Sequence, residues 1–259
     1  MTILDKIISY KRKEVDARKS AFPVSILKQS ELFKRPVLSM SDALRKSTNG
    51  IIAEHKRRSP SKSVINEKVS LPEVVRGYEM AGVAAMSVLT DTSFFGGSLD
   101  DLLLARKNVS TPLLRKEFMV DDYQLYEAKA YGADAVLLIA AALTGNELKE
   151  FSRIASDLGM EVLLEVHNEE ELNRSKIDHV TMIGVNNRNL KTFEVSIENS
   201  IRLSELIPDP FVKVSESGIS SAKAILELKT YGYQGFLVGE HFMRNEDPGE
   251  AATELIKQL

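Results

Sequence analysis

Short apolar runs recur along the chain from residue 51 onward, and a segment with helical character follows each run. The runs are four to six residues long, show little alternation of apolar and polar positions, and begin at Ile51, Ala84, Pro112, Asp134, Glu161, Thr181, Phe211 and Gly235. Such runs are typical of parallel strands that are buried on both faces. Their starts lie roughly 20 to 33 residues apart, the size of a strand–helix–strand unit. The pattern predicts eight strand–helix units in succession.

Helix start and stop signals separate these runs. Ser70 with Glu73, and Thr144 with Glu147, have the spacing of capping boxes at helix starts. Glycines stand just before several strands, where the preceding helix needs a left-handed residue in order to end. These glycines are Gly82, Gly132, Gly159 and Gly232. The signals support an alternation of strands and helices over the whole region.

Eight such units without a linker fit a closed barrel, which typically takes about 250 residues. An open, doubly wound sheet is the alternative, but it usually stops at about five or six strands. No glycine-rich dinucleotide fingerprint follows the first run. We therefore predict an α/β fold, a (β/α)8 TIM barrel in one domain over residues 1–259, with the barrel over 49–259 and an N-terminal helical extension over 1–48.

The extension does not share the repeat. Apolar positions near helical spacing predict a first helix there, and they are Ile3, Ile7, Ile8 and Val15. Ser41 is placed to cap a second helix that runs through Leu44. Two hypotheses stay open at this point. The extension either packs beside or under the barrel, or it forms a lid over the top.

Composition narrows the function classes. The 259 residues carry a formal net charge of −3, which gives no general attraction to nucleic acid or to an anionic membrane. Cysteine is absent, which excludes disulfides, thiolate nucleophiles and cysteine-ligated metals. No signal-peptide core and no apolar run near the roughly 20 residues of a membrane span occur in the sequence. A cytoplasmic enzyme with a small-molecule substrate is the expectation.

Charged side chains interrupt the apolar runs at the predicted strand ends, where barrel enzymes place their working residues. The first strand ends in Glu54, His55 and Lys56, so a two-residue period puts Glu54 and Lys56 on one face and His55 on the other. The corresponding residues of strands three, five and six are Lys116, Glu165, Asn186 and Arg188. Isolated buried ions need partners, so structural ion pairs are the alternative. Convergence of four strands on one rim favours a site.

A phosphate site is predicted where strands seven and eight end. Strand seven runs into Glu216, Ser217 and Gly218, and strand eight into Gly239 and Glu240. Glycines let backbone N–H groups approach an anion, and this is the common phosphate position in such barrels.

Six motifs, in order along the chain, resemble those of the indole-3-glycerol phosphate synthase family. They are IIAEHKRRSP with the following SK, VLTDTSFFGGS, LLRKEF, LLEVHNEEEL, IGVNNRNL and VSESGI. The resemblance implies a carbon–carbon lyase of tryptophan biosynthesis that acts on 1-(2-carboxyphenylamino)-1-deoxyribulose 5-phosphate. The products would be indole-3-glycerol phosphate, carbon dioxide and water. It implies no cofactor, no metal and no obligate protein partner.

The same resemblance implies residue roles. Lys116 matches a general acid, and Glu165 a base in dehydration. Lys56 matches a group that orients the substrate carboxylate, with a role as acid left open. Glu54 matches a group that orients Lys116, while Asn186 and Arg188 match contacts to the substrate hydroxyl and carboxylate. Ser217 matches a substrate-contacting serine and belongs to the catalytic candidates. The substrate-binding candidates that remain are Ser59, Gly218 and Gly239 near the phosphate, Phe94, Phe95 and Phe118 around the aromatic ring, and Glu216 and Glu240.

Two other functions remain as alternatives. Another phosphosugar barrel enzyme is one, either an aldolase that forms a Schiff base on Lys116 or Lys56, or the related phosphoribosylanthranilate isomerase. The isomerase usually needs a cysteine, which this chain lacks. A non-catalytic barrel that binds a phosphorylated ligand is the other.

Overall fold

Eight parallel strands form a closed barrel in chain order, so the predicted fold class is confirmed. The computed structural model describes residues 2–60, 62–189 and 192–259. The strands are β1 (Ile51–His55), β2 (Ala85–Leu89), β3 (Leu113–Lys116), β4 (Ala135–Ile139), β5 (Glu161–Val166), β6 (Met182–Asn186), β7 (Val212–Glu216) and β8 (Tyr233–Val238). The last strand pairs back onto the first, with Ile52 opposite Leu237. It begins two residues before the predicted start at Gly235.

Helices alternate with the strands as predicted. They are α1 (Ile3–Ala21), α2 (Val24–Leu27) and α3 (Met40–Lys46) before the barrel, then α4 (Leu71–Met80), α5 (Leu99–Asn108), α6 (Tyr123–Ala130), α7 (Gly145–Asp157), α8 (Glu169–Asn173), α9 (Glu198–Ser204), α10 (Ala222–Thr230), α11 (Glu240–Met243) and α12 (Pro248–Ile256). Gly82, Gly132, Gly159 and Gly232 all have positive φ, as the helix ends require. Among the described helices, none is both long and apolar enough to cross a bilayer.

One of the two predicted capping boxes is present. The Thr144 hydroxyl accepts from the backbone of Glu147, whose carboxylate accepts in return from the backbone of Thr144. The box at Ser70 is wrong: Ser70 precedes α4, but its side chain makes no capping hydrogen bond. A proline in the first turn of α4 supplies a preset φ and has no N–H to satisfy, so this helix starts without a side-chain cap.

Apolar side chains fill both the inside and the outside of the barrel. An inner cluster includes Ile52, Leu114, Leu163 and Val214, all buried. The larger cluster lies between the strands and the surrounding helices. Both faces of each strand are therefore buried, which explains why the runs read as continuously apolar.

The N-terminal extension contacts the barrel at several places, and Leu27 of α2 packs with Tyr123 and Ala130 of α6. Helix α3 lies under the barrel, and its Met40 and Leu44 belong to the inner cluster. Ser39 caps this helix, so the predicted cap at Ser41 is wrong. Ser41 lies inside the helix, and its hydroxyl instead donates to Glu161 at 2.7 Å. Helix α1 runs along the barrel flank, and its first turn reaches the top.

Candidate active site

A cavity of about 400 Å³ opens at the carboxyl ends of the strands. Its volume suits a ligand of the size of a phosphosugar with an aromatic ring. Most sequence-predicted site residues line it, and these are Glu54, Lys56, Ser59, Phe95, Lys116, Phe118, Glu165, Asn186, Arg188, Glu216, Ser217, Gly218, Gly239 and Glu240. Phe94 does not line it. The ends of β1, β3, β5, β6, β7 and β8 thus bring these groups to one mouth.

Lys116 is the central cation of the cavity. It is the last residue of β3, and its Nζ lies 3.2 Å from Glu165 Oε2 and in closer contact with Glu216 Oε2. Burial lowers the pKa of Lys116, but the charges of Glu216 and Glu165 outweigh burial and raise the pKa above its usual value. The ammonium group therefore stays protonated in the unliganded site.

A second ion pair faces the same cavity. Lys56 follows β1, and its Nζ lies 2.6 Å from Oε1 of Glu54. The expected alternation holds here, because the His55 side chain is buried and does not line the cavity. Gly239 leaves room for this pair, since a Cβ at Gly239 would collide with the Glu54 carboxylate.

Glu165 is held ionised inside an apolar strand. Burial raises its pKa, yet the positive charges of Lys116 and His167 and a hydrogen bond from Asn186 lower the pKa below the usual value. Asn186 Nδ2 donates to Glu165 Oε1 at 3.1 Å. The ionised Glu165 carboxylate beside the Lys116 ammonium group has the arrangement of a general base next to a general acid.

Glu216 differs from Glu165 although both contact Lys116. Burial raises the pKa of Glu216 to about 7, and repulsion from Glu165 and Glu54 adds to this effect against the attraction of Lys116. Its Oε1 is buried without a hydrogen-bond partner among the described residues. A Cβ at Gly184 would collide with that oxygen, so glycine is needed where β6 passes the carboxylate. Two adjacent carboxylates with separated pKa values can serve different protonation steps.

Backbone turns shape the end of the cavity beside β7 and β8. Ser217 and Gly218 both have positive φ, of 68° and 77°. Residue Gly239 precedes the short helix α11, so N–H groups at this end are free of strand pairing. The Glu240 carboxylate accepts a hydrogen bond from Lys62 at 2.9 Å, which places a cation from the loop after β1 beside this end.

Aromatic and aliphatic side chains form the opposite wall. Phe95 and Phe118 pack at a centroid distance of 5.8 Å. The Phe94 ring turns instead onto Tyr10 of α1 in an edge-to-face contact and does not line this cavity. Apolar residues from the first turn of α1 complete the lining, and these are Ile3, Leu4 and Ile7.

Several lining residues were not predicted. His167 lies two residues beyond Glu165 and lines the cavity, while Phe193 and Val195 come from the loop after β6. The two-residue offset from Glu165 in the sequence was a signal for His167, because alternate residues of an extended segment share a face. No comparable signal marked the first turn of α1. Among the described residues, no cluster of three or more potential metal ligands occurs.

Comparison with known proteins shows similarity over the full length. A family model described as indole-3-glycerol phosphate synthase matches residues 4–255. The chain is 49% identical over 259 residues to an indole-3-glycerol phosphate synthase of Bacteroides thetaiotaomicron, covering 99% of this chain and 98% of that relative. It is 44% identical over 257 residues to the synthase of Salinibacter ruber, covering 98% and 95%.

Solved structures show the same architecture at lower similarity. The tryptophan synthase complex from Pyrococcus furiosus matches with a TM-score of 0.60 and 16% identity, over 82% of this chain and 97% of that chain. At this identity the match shows a shared fold alone.

Proposed function

The chain belongs to the indole-3-glycerol phosphate synthase family, carboxy-lyases of tryptophan biosynthesis, and we propose that the cavity at the barrel mouth carries out this reaction. The substrate is 1-(2-carboxyphenylamino)-1-deoxyribulose 5-phosphate. One observation carries the assignment of roles: the Lys116 ammonium lies between two carboxylates, Glu165 and Glu216, inside a cavity with an apolar wall at one side.

The two ends of the cavity suit the two ends of the substrate. The phosphate binds at Gly218 and Gly239, where backbone N–H groups are available, with Ser59 at the same end. The aromatic ring packs against Phe95 and Phe118. This orientation puts the ketone in the middle of the cavity, close to Lys116.

Ring closure joins the aromatic carbon that bears the carboxylate to the ketone carbon. The positive charge of Lys116 first stabilises the ketone oxygen as it becomes an alkoxide, and Lys116 then donates a proton to that oxygen. Lys56 and Arg188 bind the substrate carboxylate and so orient the attacking carbon. The cation at the anilino nitrogen accepts electrons as carbon dioxide leaves, and the aromatic ring is restored.

Dehydration completes the indole. Glu165 removes a proton from the carbon next to nitrogen, because a base must be ionised and the charges of Lys116 and His167 keep Glu165 ionised against burial. An ammonium group protonates the departing hydroxyl, and Lys56, held by Glu54 at 2.6 Å, supplies it. Asn186 holds the base through its hydrogen bond to Glu165 Oε1.

Incubation of the protein with this substrate tests the proposal through the appearance of indole fluorescence. Lys116→Ala should lower turnover by about a hundredfold or more, because it removes the proton donor. Lys149→Ala, which changes an exposed lysine of α7, is the matched control and should keep wild-type turnover.

Three results would contradict the proposal. Near wild-type turnover by Lys116→Ala would remove Lys116 from the acid role. Trapping of a substrate imine on Lys116 or Lys56 by borohydride would favour the aldolase, and binding without turnover would favour the non-catalytic barrel.

A further inference from the structure

His167 lies between two carboxylates at the edge of the cavity. Its Nδ1 is 3.1 Å from Glu171 Oε2, and its Nε2 is 3.4 Å from Glu165 Oε1. The backbone N–H of His167 also donates to Glu171 Oε2, at 2.8 Å. The ring is therefore fixed at one side by α8 and directed at the other toward Glu165.

Each ring nitrogen of His167 faces a carboxylate, which bears on the protonation state of the ring. A neutral imidazole has one N–H group and can donate to one carboxylate only, whereas the imidazolium can donate to both. Burial lowers the pKa of His167, but the contacts with Glu171 and Glu165 and the charge of Glu216 outweigh burial and raise the pKa above its usual value. The carboxylates around the ring therefore favour the imidazolium.

Glu171 is itself anchored. Asn168 Nδ2 donates to Glu171 Oε1 at 2.9 Å, and the Asn168 side chain accepts in return from the Glu171 backbone N–H. The Glu171 carboxylate that holds the ring is thus itself held in place at the start of α8.

We propose that His167 is a positioning residue for Glu165: its imidazolium, fixed by Glu171, keeps the Glu165 carboxylate ionised and turned toward Lys116. The inference rests on the proposed function, in which Glu165 is the base. The Nε2 atom has no hydrogen-bond partner among the described residues, so its contact with Glu165 Oε1 at 3.4 Å is one between charges. The charged groups that face the ring are Glu165 from β5, Glu171 from α8 and Glu216 from β7, with Lys116 beyond Glu165.

The test begins with NMR titration of the histidine rings, since the chain contains four histidines. His167 should titrate above the ordinary value of about 6.5. Glu171→Gln should lower that titration by about one pH unit, because a charged partner is lost. Glu170→Gln, an exposed neighbour on the same helix, is the matched control and should leave it in place.

The rate profile gives the second measurement. The kcat of wild type should fall as pH rises through the titration of His167, and Glu171→Gln should shift this fall to lower pH by the same amount as the NMR titration. His167→Gln should lose this limb of the profile and turn over on the order of tenfold more slowly, since a misplaced base reacts poorly. A merely structural role would lower kcat equally at every pH.

The outcomes separate this inference from the proposed function. If Glu165→Gln turns over at near wild-type rate, Glu165 is not the base and the proposed dehydration step is wrong. If Glu165→Gln is inactive while the Glu171→Gln profile superimposes on that of wild type, only the role of His167 is overturned. A His167 titration below 6.5 would overturn it as well.

Discussion

Replacement of Lys11 by methionine would remove a buried ammonium group that joins the N-terminal helix α1 to two loops of the barrel. The Lys11 side chain is 1% exposed. Its Nζ lies 2.9 Å from Asp91 Oδ2, 3.0 Å from Glu14 Oε2 and 3.2 Å from Glu117 Oε1. Burial lowers the pKa of Lys11, but Glu117 and Asp91 raise it above its usual value, so the cluster is charged at neutral pH.

The expected loss of stability follows from the carboxylates that methionine would leave behind. Asp91 is 0% exposed and Glu117 2% exposed at the side chain, so neither can be solvated without movement of the helix. Removal of one partner from a buried ion pair costs about 3–5 kcal/mol. For a chain of this size, each kcal/mol corresponds to roughly 2–4 °C, so Tm should fall by roughly 6–20 °C.

Thermal unfolding followed by circular dichroism measures this change. Lys13→Met, an exposed lysine of the same helix, is the matched control and should change Tm little. Adding Asp91→Asn to Lys11→Met should recover part of the loss, because it removes one unpaired charge and keeps the acceptor for the Phe95 backbone N–H. Equal Tm values for Lys11→Met and Lys13→Met would refute the reasoning.

Three further variants test other features. Burial lowers the pKa of His55 to about 4, so the folded protein does not take up a proton that the unfolded chain accepts near pH 6.5. The free energy of unfolding of wild type should therefore fall by roughly 3 kcal/mol relative to that of His55→Leu as pH falls from 6.5 to 4. Urea unfolding measures this change, and an equal difference between the two proteins at both pH values would contradict it. Gly218→Ala should raise KM about tenfold, because Gly218 has a φ of 77° and a Cβ there would collide with Val195. Gly145→Ala is the control and should leave KM unchanged, because the added atom meets open space. Phe95→Ala should raise KM about tenfold and leave the inhibition constant of inorganic phosphate unchanged; equal effects on both would show that Phe95 does not contact the ring.

The fold was largely predictable because strand burial leaves a direct trace in the sequence. Both faces of each strand are covered, so β1 to β8 appear as continuous apolar runs, and positive-φ glycines mark the helix ends before them. Helix starts were less predictable. The motif at Ser70 has the spacing of a capping box, but spacing does not fix the hydroxyl direction, and Ser39 rather than Ser41 caps α3.

The candidate site was predictable at the strand ends and less completely in the loops. Lys116 and Glu165 interrupt apolar strands, and their place in the barrel follows from strand order. Phe94 and Phe95 are neighbours in a loop without periodicity, so the sequence could not tell which ring enters the cavity. The contact between Lys11 and Asp91 spans distant parts of the chain, and no local pattern records it.

Met40 and Leu44 pack into the inner cluster at the bottom of the barrel, where they block the passage of a ligand. Because side chains fill the barrel interior, substrate enters and products leave through the opening at the carboxyl ends of the strands. In the proposed reaction, carbon dioxide and water leave past the bound indole-3-glycerol phosphate, through the opening that the first turn of α1 lines. As the described residues form it, this opening at the carboxyl ends of the strands then serves both uptake and release.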